Sequence, residues 1–294
     1  MFEGWESRRF EVGGITIAGM VGGSGPPLLL LHGHPQTRAI WHKVAPALAQ
    51  RYTVVATDLR GYGDSSKPDG DPDHANYSKR VMAQDQVAVM QQLGFDRFRV
   101  LAHDRGARVA HRMAVDHPDV VERLVMLDIA PTLAMYEQTS FAFARAYFHW
   151  FFLIRPAPLP ETLLRADPEL YLRSVIGGRS AGLKPFTPEA YAEYLRCLRD
   201  PATAHGICED YRASATIDLE HDRVDVAAGR KMTTAALVLW GAQGVIEECF
   251  DPMKEWAKVA TNIRGHALPG GHYIPEELPE ELLAEVLPFF NAFP

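Results

Sequence analysis

Three cysteines in 294 residues, Cys197, Cys208 and Cys249, form neither a CxxC pair nor an even set. That excludes a disulfide framework and a thiolate metal site, and reduced thiols in a cytosol are the expectation. Long apolar runs are missing too. The most hydrophobic stretch, ARAYFHWFFLI at 144–154, falls well short of the roughly 20 residues a spanning helix needs. The opening MFEGWESRRF carries charges throughout and no apolar segment, so neither export nor membrane insertion is expected. Charge of one sign is absent: 30 Lys and Arg against 37 Asp and Glu give a formal charge of -7, and scattered arginines argue against a nucleic-acid partner. No internal repeat or low-complexity linker interrupts the chain. What is there, 47% apolar and 23% charged residues, suits one large soluble core with room for a smaller subdomain.

Along the chain, RRFEVGGITIAGMVGGSG reads as a hairpin, and PPLLLLHG, YTVVATDLRG, FDRFRVLAH and VERLVMLDIAP read as strands. Amphipathic segments AIWHKVAPALAQ, RVMAQDQVAVMQQLG and RGARVAHRMAVDHP lie between them. This alternation predicts an α/β fold, a mostly parallel sheet with helices on both faces. From Pro131 to about Arg230 the pattern turns to helical stretches broken by PAPLP, DP and GGRSAG, which an all-helical insertion explains. Strand signals resume at TTAALVLWGAQG and NIRGHALPG, with helices at MKEWAKVA and PEELLAEVLPFF.

Asp104, in LAHDRGARV, falls where a short buried strand turns into a helix. Ala102, Gly106 and Ala107 place small side chains two before, two after and three after it, the spacing a sharp nucleophile elbow needs. An acid on such a turn is expected to be presented rather than buried. Capping of the following helix is the plainer role for such an aspartate.

Four stretches, LLLLHGHPQTRAIWHKVAPAL, VVATDLRGYGDSSKP, AHDRGARVAHRMAVDHPDVVERLVMLDIAPT and GGHYIPEEL, carry a resemblance over nearly the whole chain. Together they resemble the α/β-hydrolase superfamily, and specifically its fluoroacetate (haloacetate) dehalogenase branch. The first two are shared with epoxide hydrolases and haloalkane dehalogenases; HDRGAR discriminates. The resemblance implies an α/β-hydrolase core from 1–130 and 231–294, with an all-helical cap domain, 131–230, inserted after the sixth strand. It also implies hydrolysis of a short 2-haloacid to a 2-hydroxyacid, and it suggests a homodimer.

The residues fit that chemistry. A carboxylate can displace a leaving group at saturated carbon and form an ester, whereas a serine needs a carbonyl to attack, so Asp104 points to an alkyl halide or epoxide. His272 stands where this superfamily carries its base. Its acidic partner is expected at Asp128, the position used in the dehalogenase branch, because the loop after ALVLWGAQG offers Gln243 and Gly244 where many relatives have an acid; Glu247, Glu248 and Asp251 are the substitutes. Arg105 and Arg108, three apart on one face of the elbow helix, form a cation pair beside Asp104, suited to a substrate carboxylate. Many epoxide hydrolases and haloalkane dehalogenases carry tryptophan directly after the nucleophile, and Arg105 argues against both.

The resemblance assigns halide binding to His149, Trp150 and Tyr211, whose other reading is an aromatic helix packed on the sheet. It assigns an oxyanion hole to the backbone N–H groups of His34 and Arg105; His34 stands where relatives often carry phenylalanine. A metal hydrolase built on His32, His34 and His42 lacks a fourth ligand at fitting spacing, so neither metal nor cofactor is expected. A non-catalytic receptor on this fold would have lost part of Asp104, Asp128 and His272. Epoxide hydrolysis, which needs two cap tyrosines, is left open by Tyr136, Tyr147, Tyr191 and Tyr211.

Overall fold

The computed structural model of the chain describes residues 1–179 and 181–292. Eight strands form one sheet: β1 (Glu6–Val12), β2 (Ile15–Gly22), β3 (Pro27–Leu31), β4 (Thr53–Thr57), β5 (Phe98–His103), β6 (Val121–Leu127), β7 (Ala236–Gly241) and β8 (Ile263–Leu268). Their spatial order is β1-β2-β4-β3-β5-β6-β7-β8. β1, β2 and β4 pair antiparallel, and every pairing from β4 through β8 is parallel. The β1–β2 hairpin turns on Gly13 and Gly14, at φ 54° and 81°, the left-handed region that a tight two-residue turn requires.

The four leucines of β3 show why this sheet is covered on both faces. Leu28 and Leu30 join Val54, Ala56, Leu101 and Val125 in one core, closed by Trp41 and by Leu282, Val286 and Phe289 of the C-terminal helix. Leu29 and Leu31 point the other way, against Val55, Val100, Ala102 and Met126, beneath Met82, Met90, Val109 and Met113. A period of two with apolar residues at every position is the signature of a strand buried on both sides.

Helices alone join β6 to β7 among the described residues, running from Thr132–Glu137 to Ile217–Ala227. Their Phe143, Trp150, Leu172, Tyr194 and Ile207 belong to the same core as Leu29 and Val100, so the insertion is packed down onto the sheet. No helix of the described residues is long and apolar enough to cross a membrane.

Two expected helices are each divided. AIWHKVAPALAQ becomes a 3-10 turn, Arg38–Lys43, and a short α-helix, Ala45–Leu48, with a proline at its first turn where no N–H is needed. The aromatic run becomes Phe141–Ala146 and Phe148–Phe152, separated at Tyr147, whose φ of −108° and ψ of 38° leave the helical region. The break re-aims the second segment, and with it His149 and Trp150.

Candidate active site

Asp104, Asp128 and His272 follow β5, β6 and β8, so all three lie at the carboxyl edge of the parallel sheet, where open α/β sheets bind ligands. Asp104 sits at φ 47° and ψ −112° and Asp128 at φ 52°, backbone conformations that cost on the order of 1–3 kcal/mol each for a residue with a side chain. Sheet hydrogen bonds hold both: Asp104 N–H donates to Leu127 O at 3.2 Å and Asp128 N–H to Leu239 O at 2.8 Å. The elbow is tight. A Cβ on Gly106 would stand 2.4 Å from His32 O, and one on Gly33 would stand 2.4 Å from Asp104 Cβ. Gly106 was legible as a spacer; Gly33 belongs to a different strand end, and no local pattern marks it as part of the elbow.

Asp104 is buried, 3% exposed, which corrects the expectation of a presented acid. The elbow does lift the side chain off the sheet, but the helical insertion lies over it and closes it from water. Burial opposes its ionisation; His272, His103, Arg108 and Arg105 together outweigh that and hold the carboxyl far below the usual carboxylate range. Its Oδ1 accepts the His34 backbone N–H at 2.9 Å, so one of the two expected oxyanion donors already faces this oxygen. The second, Arg105 N, lies beside the same elbow, 3.0 Å from where a Gly33 Cβ would be.

His272 Nδ1 lies 2.5 Å from Asp128 Oδ2, and Asp128 Oδ1 accepts the Gly241 N–H at 2.9 Å. The carboxylate thereby fixes the ring orientation and places the Nδ1 proton toward itself, leaving Nε2 for other work. Two of the alternative acids are engaged elsewhere. Glu247 accepts from the Trp240 indole, and Asp251 caps the helix Pro252–Val259 through Lys254 N. A Cβ at Gly241 would meet Gly271 O at 2.2 Å, which explains why the β7 end and the histidine loop can touch.

The arginines differ more than their spacing suggests. Arg105 is gripped by Asp210, with Nε to Oδ2 at 2.8 Å and Nη2 to Oδ1 and to the backbone O at 2.9 Å each. Asp210 is held in turn by Lys79 and by the Tyr62 hydroxyl at 2.6 Å. Arg108 meets only neutral groups: Ala130 O at 3.2 Å, Thr132 Oγ1 at 2.9 Å and Met135 Sδ at 3.1 Å. Each keeps one buried nitrogen without a protein partner, Nη1 of Arg105 and Nε of Arg108. Asp210, Tyr62 and Lys79 were missed by sequence reasoning; the chain distance from 62 to 210 leaves no local signal.

Around these cations the insertion supplies polar atoms that the protein does not satisfy. Arg105 stacks over the Tyr211 ring at 4.1 Å and Arg108 over the Trp150 ring at 4.8 Å. The Trp150 Nε1 and the hydroxyls of Tyr211, Tyr136 and Tyr147 are buried and unpartnered. His149 stacks on the His34 ring at 5.7 Å, and Tyr211 meets both histidines edge-on, at 5.8 Å and 5.3 Å. Burial presses His149 well below its ordinary pKa and His34 down to about 3, so both rings are neutral. His34 Nε2 is 2.8 Å from the Tyr171 hydroxyl.

The three histidines weighed as metal ligands do not converge. His32 Nδ1–H donates to Gly33 O while its Nε2 accepts the Leu59 N–H, and His42 Nδ1 bonds Ala39 O. Among the described residues no group of three His, Cys, Asp or Glu could hold a metal ion.

Comparison with known proteins gives the family of the chain. The family model described as the alpha/beta hydrolase fold matches residues 26–201. A fluoroacetate dehalogenase from Burkholderia is 51% identical over 282 residues, covering 96% of this chain and 92% of that protein. A soluble epoxide hydrolase from Corynebacterium is 35% identical over 284 residues, 95% of each. The crystal structure of a Nostoc protein assigned as an α/β hydrolase superposes with a TM-score of 0.97 at 52% identity, over 100% of both chains. A strained aspartate elbow, an Asp-paired histidine and this measured kinship have one conclusion: the chain belongs to the α/β-hydrolase family, among relatives that include fluoroacetate dehalogenase and soluble epoxide hydrolase.

Proposed function

We propose that the protein hydrolyses short 2-haloacids, haloacetate foremost, to the 2-hydroxyacid and halide, with residues 131–230 acting as a cap domain over the core. The observation that carries this reading is the pair of unpartnered guanidinium nitrogens, Arg105 Nη1 and Arg108 Nε, buried beside an ionised Asp104. Two carboxylates about 4 Å apart repel by about 4 kcal/mol at an effective dielectric constant of 20. An anionic substrate therefore reaches Asp104 only if cations offset that repulsion, and paired donors also fix where its α-carbon lies.

In the first step Asp104 Oδ2, the oxygen not held by His34 N–H, attacks the α-carbon. The C–O bond forms as the carbon–halogen bond breaks, and the bonding electron pair leaves with the halide. Trp150 N–H, Tyr211 O–H and His149 receive the departing ion, where fixed donors act most strongly as charge builds. In the second step His272 Nε2 takes a proton from water as its oxygen adds to Asp104 Cγ. The charge that develops on Oδ1 falls on the N–H groups of His34 and Arg105. Collapse expels the 2-hydroxyacid, whose oxygen recovers the proton from His272, and Asp104 releases the water's second proton to solvent and returns as a carboxylate. Each step uses side chains of this chain, with no cofactor in the scheme, and the enzyme is read as cytoplasmic.

Epoxide hydrolysis is the second reading, favoured by the Corynebacterium relative and by the unpartnered hydroxyls of Tyr136, Tyr147 and Tyr211. Fluoroacetate, chloroacetate and styrene oxide assayed side by side separate the two. The haloacid reading expects free halide and glycolate; diol from styrene oxide without halide release from either acid would overturn it.

A further inference from the structure

A cleft of about 200 Å³ opens beside the site between the helical insertion and the loop after β7, and its wall includes Arg179, Gln243, Gly244 and His272. Among the described residues of that wall Arg179 is the only arginine or lysine, and none of them is a carboxylate. The guanidinium lies over the Tyr147 ring at 4.3 Å, and among the described residues it forms no ion pair. Tyr147 in turn meets His272 at 6.2 Å and His149 at 5.4 Å between ring centroids, so Arg179 stands one aromatic ring from the reacting groups.

From this arrangement we propose that the cleft is an anion-collecting vestibule, in which Arg179 receives the carboxylate of the incoming substrate before Arg105 and Arg108 bind it. The inference rests on the haloacid reading and adds to it a site that the reaction chemistry does not itself require. The physical need is plain. A chain of net charge -7 repels a small anion at long range, and a cation set in a narrow, low-dielectric opening focuses an attractive field there. The neutrality of Gln243 is part of the device. The loop after β7 places no carboxylate at this position, so the carboxylate that acts on Arg179 is Asp128, whose oxygens are already engaged by His272 and the Gly241 N–H.

The test is the rate of substrate capture, followed by stopped-flow tryptophan fluorescence with chloroacetate and protein carrying Asp104→Asn, which cannot form the ester. Arg179→Gln in that background lowers the association rate constant about tenfold at low ionic strength, and the deficit shrinks to less than about twofold near 0.5 M salt, where charges are screened within a few ångströms. Arg179→Lys recovers most of the rate. Gln243→Glu, which leaves Arg179 in place, slows capture with the same salt dependence. Arg9→Gln on β1, at the far edge of the sheet, removes an equal charge and leaves the rate unchanged. A deficit in Arg179→Gln that is absent, or that persists undiminished in salt, overturns the vestibule while wild-type halide release keeps the haloacid reading. Wild-type protein that releases no halide, with no chloroacetate binding in the Asp104→Asn protein, removes both.

Discussion

The carboxyl edge of the sheet and the helical insertion above it are both buried and both polar, yet they are satisfied to different degrees. At the sheet edge the triad is tied down: Asp128 has both oxygens engaged, His272 is fixed through Nδ1, and Asp104 is anchored through Oδ1 and through its own N–H. Above it, Trp150, Tyr211, Tyr136 and Tyr147 bury donors that bond to nothing in the protein. Leaving a buried donor unsatisfied costs roughly 1–3 kcal/mol, a cost a ligand would relieve. The difference teaches where the protein ends and its substrate begins. On the proposed function, satisfied groups position the nucleophile and base, and unsatisfied ones mark where halide and carboxylate bind.

Breaking the satisfied side has the largest effect. His272→Asn is expected to lower turnover by about ten-thousandfold, the upper end for loss of a general base, while attack by Asp104 proceeds. Intact-protein and peptide mass spectrometry should find the added acyl group on the peptide containing Asp104, and normal turnover would require another base.

The two arginines sharpen the contrast. Because Asp210 pairs with Arg105 whereas Arg108 hydrogen-bonds only neutral groups, the proposed function assigns to Arg108 the charge that offsets the substrate. Arg108→Leu should cut kcat/KM for chloroacetate several hundredfold, the scale of a buried charge left without its counterpart. A neutral haloalkane tried on both proteins should show no parallel loss; equal losses would make Arg108 structural.

On the unsatisfied side, Trp150→Phe keeps most of the ring and removes one donor. Fluoroacetate turnover should fall about a hundredfold, with a smaller loss for chloroacetate, whose larger ion spreads its charge. A changed melting temperature with an unaltered fluoride-to-chloride ratio would return Trp150 to the core.

The smallest effect lies where the two regions are latched. Glu276, three residues beyond Tyr273, accepts the Tyr194 hydroxyl of the insertion at 2.6 Å and lies 3.5 Å from Lys43. Burial pushes its carboxyl up to about 7, against the pull of Tyr194 and Lys43. A folded pKa above the unfolded value of roughly 4.3 means that the folded state holds the proton more tightly. Its stabilising contribution is therefore full at low pH and is lost as pH rises from about 4.5 through about 7, on the order of 2 kcal/mol. Glu276→Gln should remove that slope, so that between pH 5 and pH 8 the wild-type melting temperature drops by about 4 °C more than the variant's. Parallel curves from calorimetry would show that Glu276 ionises normally.

Legibility divides along the same line. β3 and β5 could be read because apolar periodicity is local, and the elbow because Ala102, Gly106 and Ala107 are fixed by sequence spacing from Asp104. Asp128 could be placed only by resemblance, since a strand-end acid by itself also reads as a turn residue. The burial of Asp104 was misread because what covers it, the insertion, is more than 25 residues further along the chain. Asp210 was invisible for the same reason: it meets Arg105 across 105 positions, and an Asp inside a helix has no local sign of such a partner. Tyr147 breaks a run that looks continuously helical, and only packing decides where such a run bends.

The claim on which the rest depends is that Asp104 becomes covalently bonded to the substrate carbon. A single turnover in heavy-oxygen water, with enzyme in excess over chloroacetate, tests it directly. The account predicts that the heavy oxygen appears in the Asp104 carboxylate and that the glycolate released carries an unlabelled hydroxyl oxygen. Label in the hydroxyl of that first glycolate, with Asp104 unlabelled, would mean that water attacks the carbon itself and would contradict it.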